Sequence, residues 1–167
     1  MNQGAAVMIK CEFENGNIAS PGIRHVTTGV IVINEGKILL AKRAAGLLEG
    51  GKWGLVGGYL DRDEIISEGA RREVLEESGW EVGELTLLKI NDNPNRPGED
   101  RQNVDFIFFT DAIKQVGEAD DESEALEWYN LDSLPNDDQI AFDHADAISL
   151  YKEYVAHKFT LPVMYKR

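Results

Sequence analysis

Cysteine is nearly absent: Cys11 stands alone among 167 residues. An internal disulfide is excluded, and one thiol cannot make a metal cluster. No base lies near Cys11 in sequence, which argues against a nucleophilic role. Long apolar runs are also missing, none approaching the ~20 residues that span a bilayer. Met1 to Lys10 carries no basic segment leading into an apolar run, so no signal peptide and no membrane partner are expected, and the cytoplasm is the default location. Basic residues are few, 17 Lys and Arg against 30 Asp and Glu, for a formal net charge of −13. That balance disfavours a nucleic-acid groove, where cations on phosphates supply most of the binding. It still allows a phosphorylated small molecule, provided divalent cations sit between the two sets of negative charge. Most of the acid needs no reason beyond solubility.

What is present fits one domain over residues 1–167, with 43% apolar residues to fill a core and neither repeats nor low-complexity linkers. Val26 to Ile33 is rich in β-branched residues, Asn34-Glu35-Gly36 signals a turn, and Lys37 to Arg43 resumes the apolar pattern, which predicts a hairpin. Ala44 to Lys52 reads as a loop, and Trp53 to Tyr59 as a short strand ending in Gly57-Gly58. A helix is expected from Ile65 to Ser78, closed by Gly79. Strands are expected at Leu85 to Ile90, Val104 to Thr110 and Leu126 to Asn130, with the proline-containing segment Asn91 to Asn103 between the first two. Apolar residues at helical spacing predict a terminal helix over Gln139 to Lys158. The fold class expected is α/β, a mixed sheet covered on both faces.

The informative segment is Gly58 to Trp80, GYLDRDEIISEGARREVLEESGW. Glu73, Glu76 and Glu77 fall at i, i+3 and i+4 of the expected helix, which puts three carboxylates on one face. Gly69 lies one turn back on that face. Clustered carboxylate oxygens suit a hard cation such as Mg²⁺, often with substrate phosphate completing its shell. Taken alone, the trio is more often a solvated helix face. The residues around it decide otherwise.

The segment resembles the Nudix box: Gly, five residues, Glu, seven residues, Arg-Glu, an aliphatic, one residue, Glu-Glu, one residue, Gly and a hydrophobic residue. Gly58, Glu64, Arg72, Glu73, Val74, Glu76, Glu77, Gly79 and Trp80 fill these positions at the right spacing. Trp80 stands where an aliphatic residue is usual, and Val56 where Pro is common. The hairpin before the box and Leu126-Glu127-Trp128 with Leu131 to Pro135 after it also look like the family, so the resemblance covers about residues 26–135. Residues 1–25 and the terminal helix at 139–158 stand outside it as additions. The fold implied is a Nudix-like α/β/α sandwich.

The resemblance implies water attacking a phosphorus of a diphosphate, with Mg²⁺ as cofactor and Mn²⁺ as a substitute. It assigns metal-ligand roles to Glu76 and Glu77, a shared ligand or base role to Glu73, and a metal-binding backbone carbonyl to Gly57. Arg72, paired with Glu64, fixes the helix-face geometry, while Gly57 and Gly58 permit close approach of backbone to substrate. Glu118, Glu122 and Glu124, before the closing strand, are alternative general bases. Arg43 and Arg101 are candidates for substrate phosphate, each with a surface charge as the bland alternative. Phe142-Asp143-His144 is similar to ADP-ribose-related members, although a helical His is usually structural.

Pro94 and Pro97 straddle the place where ADP-ribose-cleaving members carry a proline, so ADP-ribose or a nucleotide sugar is the expected substrate. An oxidised nucleoside triphosphate is the alternative. A non-catalytic nucleotide sensor would have lost a box carboxylate, and none is lost. An isomerase on this scaffold would call for a cysteine at the site, and RNA decapping for a basic groove. The partner expected is a small nucleotide, and a homodimer is allowed.

Overall fold

In a computed structural model of the chain, which describes residues 24–98, 102–119 and 123–164, strand β1 (Val26–Asn34) is the spine. Its side chains alternate between two cores. Val30 and Val32 face one, Ile31 and Ile33 the other. Glu35 and Gly36, both at positive φ, turn the chain into β2 (Lys37–Arg43), as the hairpin pattern predicts. β3 (Trp53–Gly54) and β7 (Ser123–Asn130) pair with β2. On its other side β1 pairs in parallel with the long β6 (Val104–Gln115), which also takes β4 (Trp80–Val82) and β5 (Thr86–Asn91) antiparallel. A short β8 (Val163–Met164) lies parallel to β5.

Helix α1 (Ile66–Ser78) covers one face of this mixed sheet, packing Ala70 and Val74 against Val30, Val32 and Leu39. Helix α2 (His144–Ala156) covers the other with Ile148 and Tyr151 against Ile31, Leu40 and Ile107. The α/β/α sandwich is therefore the observed architecture. Each fully buried Ile or Leu contributes about 1.5–3 kcal/mol to holding it. α1 begins after Ile65, whose N–H donates to Glu68, and ends at Gly79 in the left-handed conformation, its N–H closing on the Leu75 carbonyl at 2.8 Å.

Three expectations need correction. The strand expected over Trp53 to Tyr59 is regular only at Trp53–Gly54; beyond it, Val56 and Tyr59 make isolated bridges to β1. The Leu55 N–H leaves the sheet for His144 Nδ1, and Gly57 at φ 146° breaks the extended run. The terminal helix does not start at Gln139. A 3-10 turn spans Asp137–Gln139, Ile140 bridges Trp53, the Ala141 N–H bonds the Trp53 carbonyl, and Phe142 is left-handed at φ 55°. Only at His144 does helix begin, and it ends at Ala156 rather than Lys158. Ile140 thus belongs to a sheet edge, although its spacing suits a helix. Third, β6 runs five residues past Thr110 to pair with the unforeseen β4.

Candidate active site

The turn Leu55 to Leu60 joins the sheet to the catalytic-helix candidate. Val30 and Thr28 on β1 donate backbone N–H bonds to the Val56 and Gly58 carbonyls, at 2.8 and 2.9 Å, so the turn is tied down on one side. On its other side it meets α1. A Cβ at Gly58 would stand 2.5 Å from the Glu73 carboxylate, and at Gly57 it would collide with the Thr28 carbonyl. Gly57 is therefore required by its backbone contact and its φ, while a side chain at Gly58 would displace the Glu73 carboxylate. The Gly57 N–H donates to Glu77 Oε2 at 2.9 Å, which points that carboxylate at the turn.

Arg72 organises the rest. Its guanidinium grips Glu64 through Nε and Nη2 at 2.6 and 3.1 Å, reaches Glu73 at 2.8 Å and Glu76 at 3.0 Å through Nη1, and donates to the Tyr59 carbonyl at 3.1 Å. A planar fork suits this task as an ammonium would not. Three carboxylates gathered on one cation hold its pKa well above the ordinary guanidinium value, Glu64 contributing most. Reciprocally, the hydrogen bond from Arg72 holds the Glu64 carboxyl below the usual carboxylate range. Gly69 leaves room for this arrangement: a Cβ there would lie 2.9 Å from Glu64 Oε2. The Glu73, Glu76 and Glu64 carboxylates are thus held together rather than left to repel one another.

The donor set is all oxygen, which fits a hard divalent cation and no soft one. Among the described residues, no three acidic, His or Cys side chains converge into a preformed metal shell. Two carboxylates completed by a backbone carbonyl, water and phosphate are the incomplete protein shell that Mg²⁺ commonly accepts.

At Gly57–Tyr59 the helix face adjoins a cavity of about 350 Å³ on the α2 side of the sheet. Arg43 lines it, with Nε donating to the Leu48 carbonyl at 2.8 Å and its guanidinium 5.0 Å from the centre of the Phe142 ring. Gly57 and Gly58 form the wall shared with the helix face. Glu124 sits elsewhere: its carboxylate accepts from the Ala45 N–H at 2.9 Å and lies 3.7 Å from Lys42, holding the loop after β2. Glu118 is exposed beyond β6. Glu122 and Arg101 lie outside the described residues.

Sequence reasoning missed part of the cavity wall. Arg96, in the segment Asn91 to Asn103, lines it with Asp105, Asn103, Phe142 and His144. A buried arginine in a loop carries no periodic signal. In the sequence, Phe142-Asp143-His144 is visible only as a motif. Nδ1 of His144 accepts the Leu55 N–H at 3.0 Å, so the ring is a neutral acceptor clamping α2 to the glycine turn. Burial, with the charge of Arg96 behind it, pushes its pKa from 6.5 down to about 3. Because the folded value is depressed, the contribution to stability is complete above pH 6.5 and is lost as pH falls from there towards 3. Between pH 6.5 and 5 the loss is about 1.4 kcal/mol per pH unit, or roughly 3 °C in melting temperature. Thermal melts of wild type and His144→Gln test this: the variant should lose most of that slope, and equal slopes would assign the acid sensitivity to other groups.

A glutamate-lined helix face on a sheet covered from both sides offers carboxylate oxygens of the kind that bind hard divalent cations. The NUDIX domain model matches residues 23–151, and the chain belongs to the Nudix family. Over 124 residues it is 30% identical to the ADP-ribose pyrophosphatase of Methanocaldococcus jannaschii, a match covering 74% of this chain and 70% of that protein. Over 108 residues it is 32% identical to the oxidized purine nucleoside triphosphate hydrolase of Danio rerio, covering 65% and 67%. A crystal structure of a NUDIX hydrolase from Nitrosomonas europaea superposes with a TM-score of 0.74 at 23% identity, covering 98% of this chain and 96% of that one. Divalent metal use is general in the family. No helix among the described residues is long and apolar enough to cross a membrane.

Proposed function

We propose that this enzyme cleaves the pyrophosphate bond of ADP-ribose or a nucleotide sugar, yielding a nucleoside monophosphate and a sugar phosphate, with Mg²⁺ as cofactor and Mn²⁺ as substitute. The observation that carries this reading is the Arg72-organised carboxylate cluster adjoining, across Gly57–Tyr59, a cavity sized for one half of such a molecule. Glu76 and Glu77 would hold the cation, with Glu73 as shared ligand or general base and the Gly57 carbonyl as a further donor. Bound there, a divalent ion supplies charge neutralisation on the diphosphate and a more acidic attacking water. The chain's own work is positional. Arg72 and Glu64 set the carboxylate spacing, Gly58 brings backbone to within van der Waals reach of Glu73, and Arg43 offers a guanidinium to a phosphate from the cavity wall.

A triphosphate would bring more negative charge to a cavity whose other arginine, Arg96, is already ion-paired. The 30% identity to an ADP-ribose pyrophosphatase supports the same choice. The likeness to an oxidized purine nucleoside triphosphate hydrolase keeps a second reading in play. A panel assay with chromatographic product identification separates them. kcat/KM for ADP-ribose or a nucleotide sugar should exceed that for any nucleoside triphosphate by at least ~10-fold, about 1.4 kcal/mol of transition-state binding. Pyrophosphate released from an oxidised purine triphosphate as the dominant product would overturn the substrate choice.

A further inference from the structure

Part of the cavity wall carries chemistry that the proposed bond cleavage does not use. Asp105, near the start of β6, sits opposite Thr27 in the parallel β1–β6 pairing. It is only 3% exposed and lines the cavity. Oδ1 accepts the Thr27 hydroxyl at 3.1 Å, and Oδ2 lies 3.0 Å from Arg96 Nη2. Arg96 turns its Nε to Asp143 at 2.5 Å, and the second Asp143 oxygen accepts from Asn91 Nδ2 at 2.6 Å. Among the described residues, one guanidinium stands against two carboxylates here, which disfavours a phosphate or a sugar phosphate. Carboxylate oxygens accept about two hydrogen bonds each, so each Asp105 oxygen keeps one acceptor position beyond its present partner. The wall beside it is Phe142, whose ring has the Arg43 and Arg96 guanidiniums at 5.0 and 5.3 Å from its centre. A flat ring with N–H donors on one edge matches an aromatic wall next to a buried acceptor.

We propose that Asp105 is a specificity-determining residue, accepting a hydrogen bond from an exocyclic amino group of the substrate's nucleobase. The inference rests on the nucleotide pyrophosphohydrolase reading above and deepens it: adenine and guanine carry such a group, and hypoxanthine carries none. Arg96 and Thr27 act through Asp105, fixing its carboxylate plane.

The test compares nucleotides that differ in that group. Calorimetric binding of AMP, GMP and IMP to the Mg²⁺-loaded enzyme should show one amino-bearing nucleotide at least ~10-fold tighter than IMP, since a site built to pair a donor rejects the analogue lacking it. kcat/KM for ADP-ribose or the GDP-sugar over its inosine counterpart should show the same ratio, carried by KM rather than kcat. In Asp105→Asn, whose amide can also donate, the preference should shrink to less than about threefold. The wild-type comparison needs no folded variant, so a misfolded Asp105→Asn does not blunt it. IMP bound as tightly as both AMP and GMP overturns the inference and leaves the hydrolase reading intact. Failure of every nucleotide to turn over would sink that reading instead, while the binding ratios would still decide the role of Asp105.

Discussion

Glu76→Gln and Glu77→Gln should each lower kcat by about 10³-fold, because removing one anionic ligand from a metal site costs several kcal/mol of transition-state stabilisation. Both variants should melt within about 2 °C of wild type. Glu76 is 54% exposed and is one of three carboxylates hydrogen-bonded to Arg72, so its loss leaves that guanidinium well satisfied. Glu77 meets the Gly57 N–H through one oxygen, which a glutamine amide oxygen can replace. Steady-state kinetics beside thermal melts would separate the two effects. Near-wild-type kcat in either variant would remove that residue from the proposed metal shell; a lost fold would show it to be structural.

Arg72 should behave differently, harming fold and activity together. Arg72→Met leaves Glu64, Glu73 and Glu76 facing each other with no cation between them. Its side chain is 27% exposed, so the full penalty for breaking a buried pair does not apply; about 2–3 kcal/mol of destabilisation is expected. kcat should fall about 10–100-fold, the usual effect of losing a residue that orients ligands without touching substrate. Arg72→Lys restores the charge but cannot span Glu64, Glu73 and the Tyr59 carbonyl at once. It should recover stability more than rate. Equal recovery of both would mean that charge alone, and not the planar fork, sets the geometry.

The helix face was legible because its signals are local. Spacing alone placed Glu73, Glu76 and Glu77 together, the Gly79 stop is a matter of backbone conformation, and the Arg72–Glu64 pairing lies within one motif. The hairpin followed from the β-branched run Val26 to Ile33, the turn signal Asn34-Glu35-Gly36 and the apolar run after it. The non-local part was hidden. Arg96, Asp105 and Asp143 come from a loop, a strand start and a helix start, and only their tertiary ion pairs through Arg96 bring them together. Helical spacing at Ile140 misled because that residue is buried for another reason, its bridge to Trp53. The same tertiary demand, the Leu55 N–H bonded to His144, shortened the strand expected through Tyr59.

The most direct measurement is product analysis for ADP-ribose incubated with the purified chain, first stripped with excess EDTA and then resupplied with Mg²⁺. The expected result is AMP and ribose 5-phosphate in equal amounts on resupply, no turnover in EDTA, and no recovery by Mg²⁺ in Glu76→Gln. Turnover that persists in EDTA, or that Glu76→Gln retains, would contradict a metal-dependent cleavage centred on the carboxylates of α1.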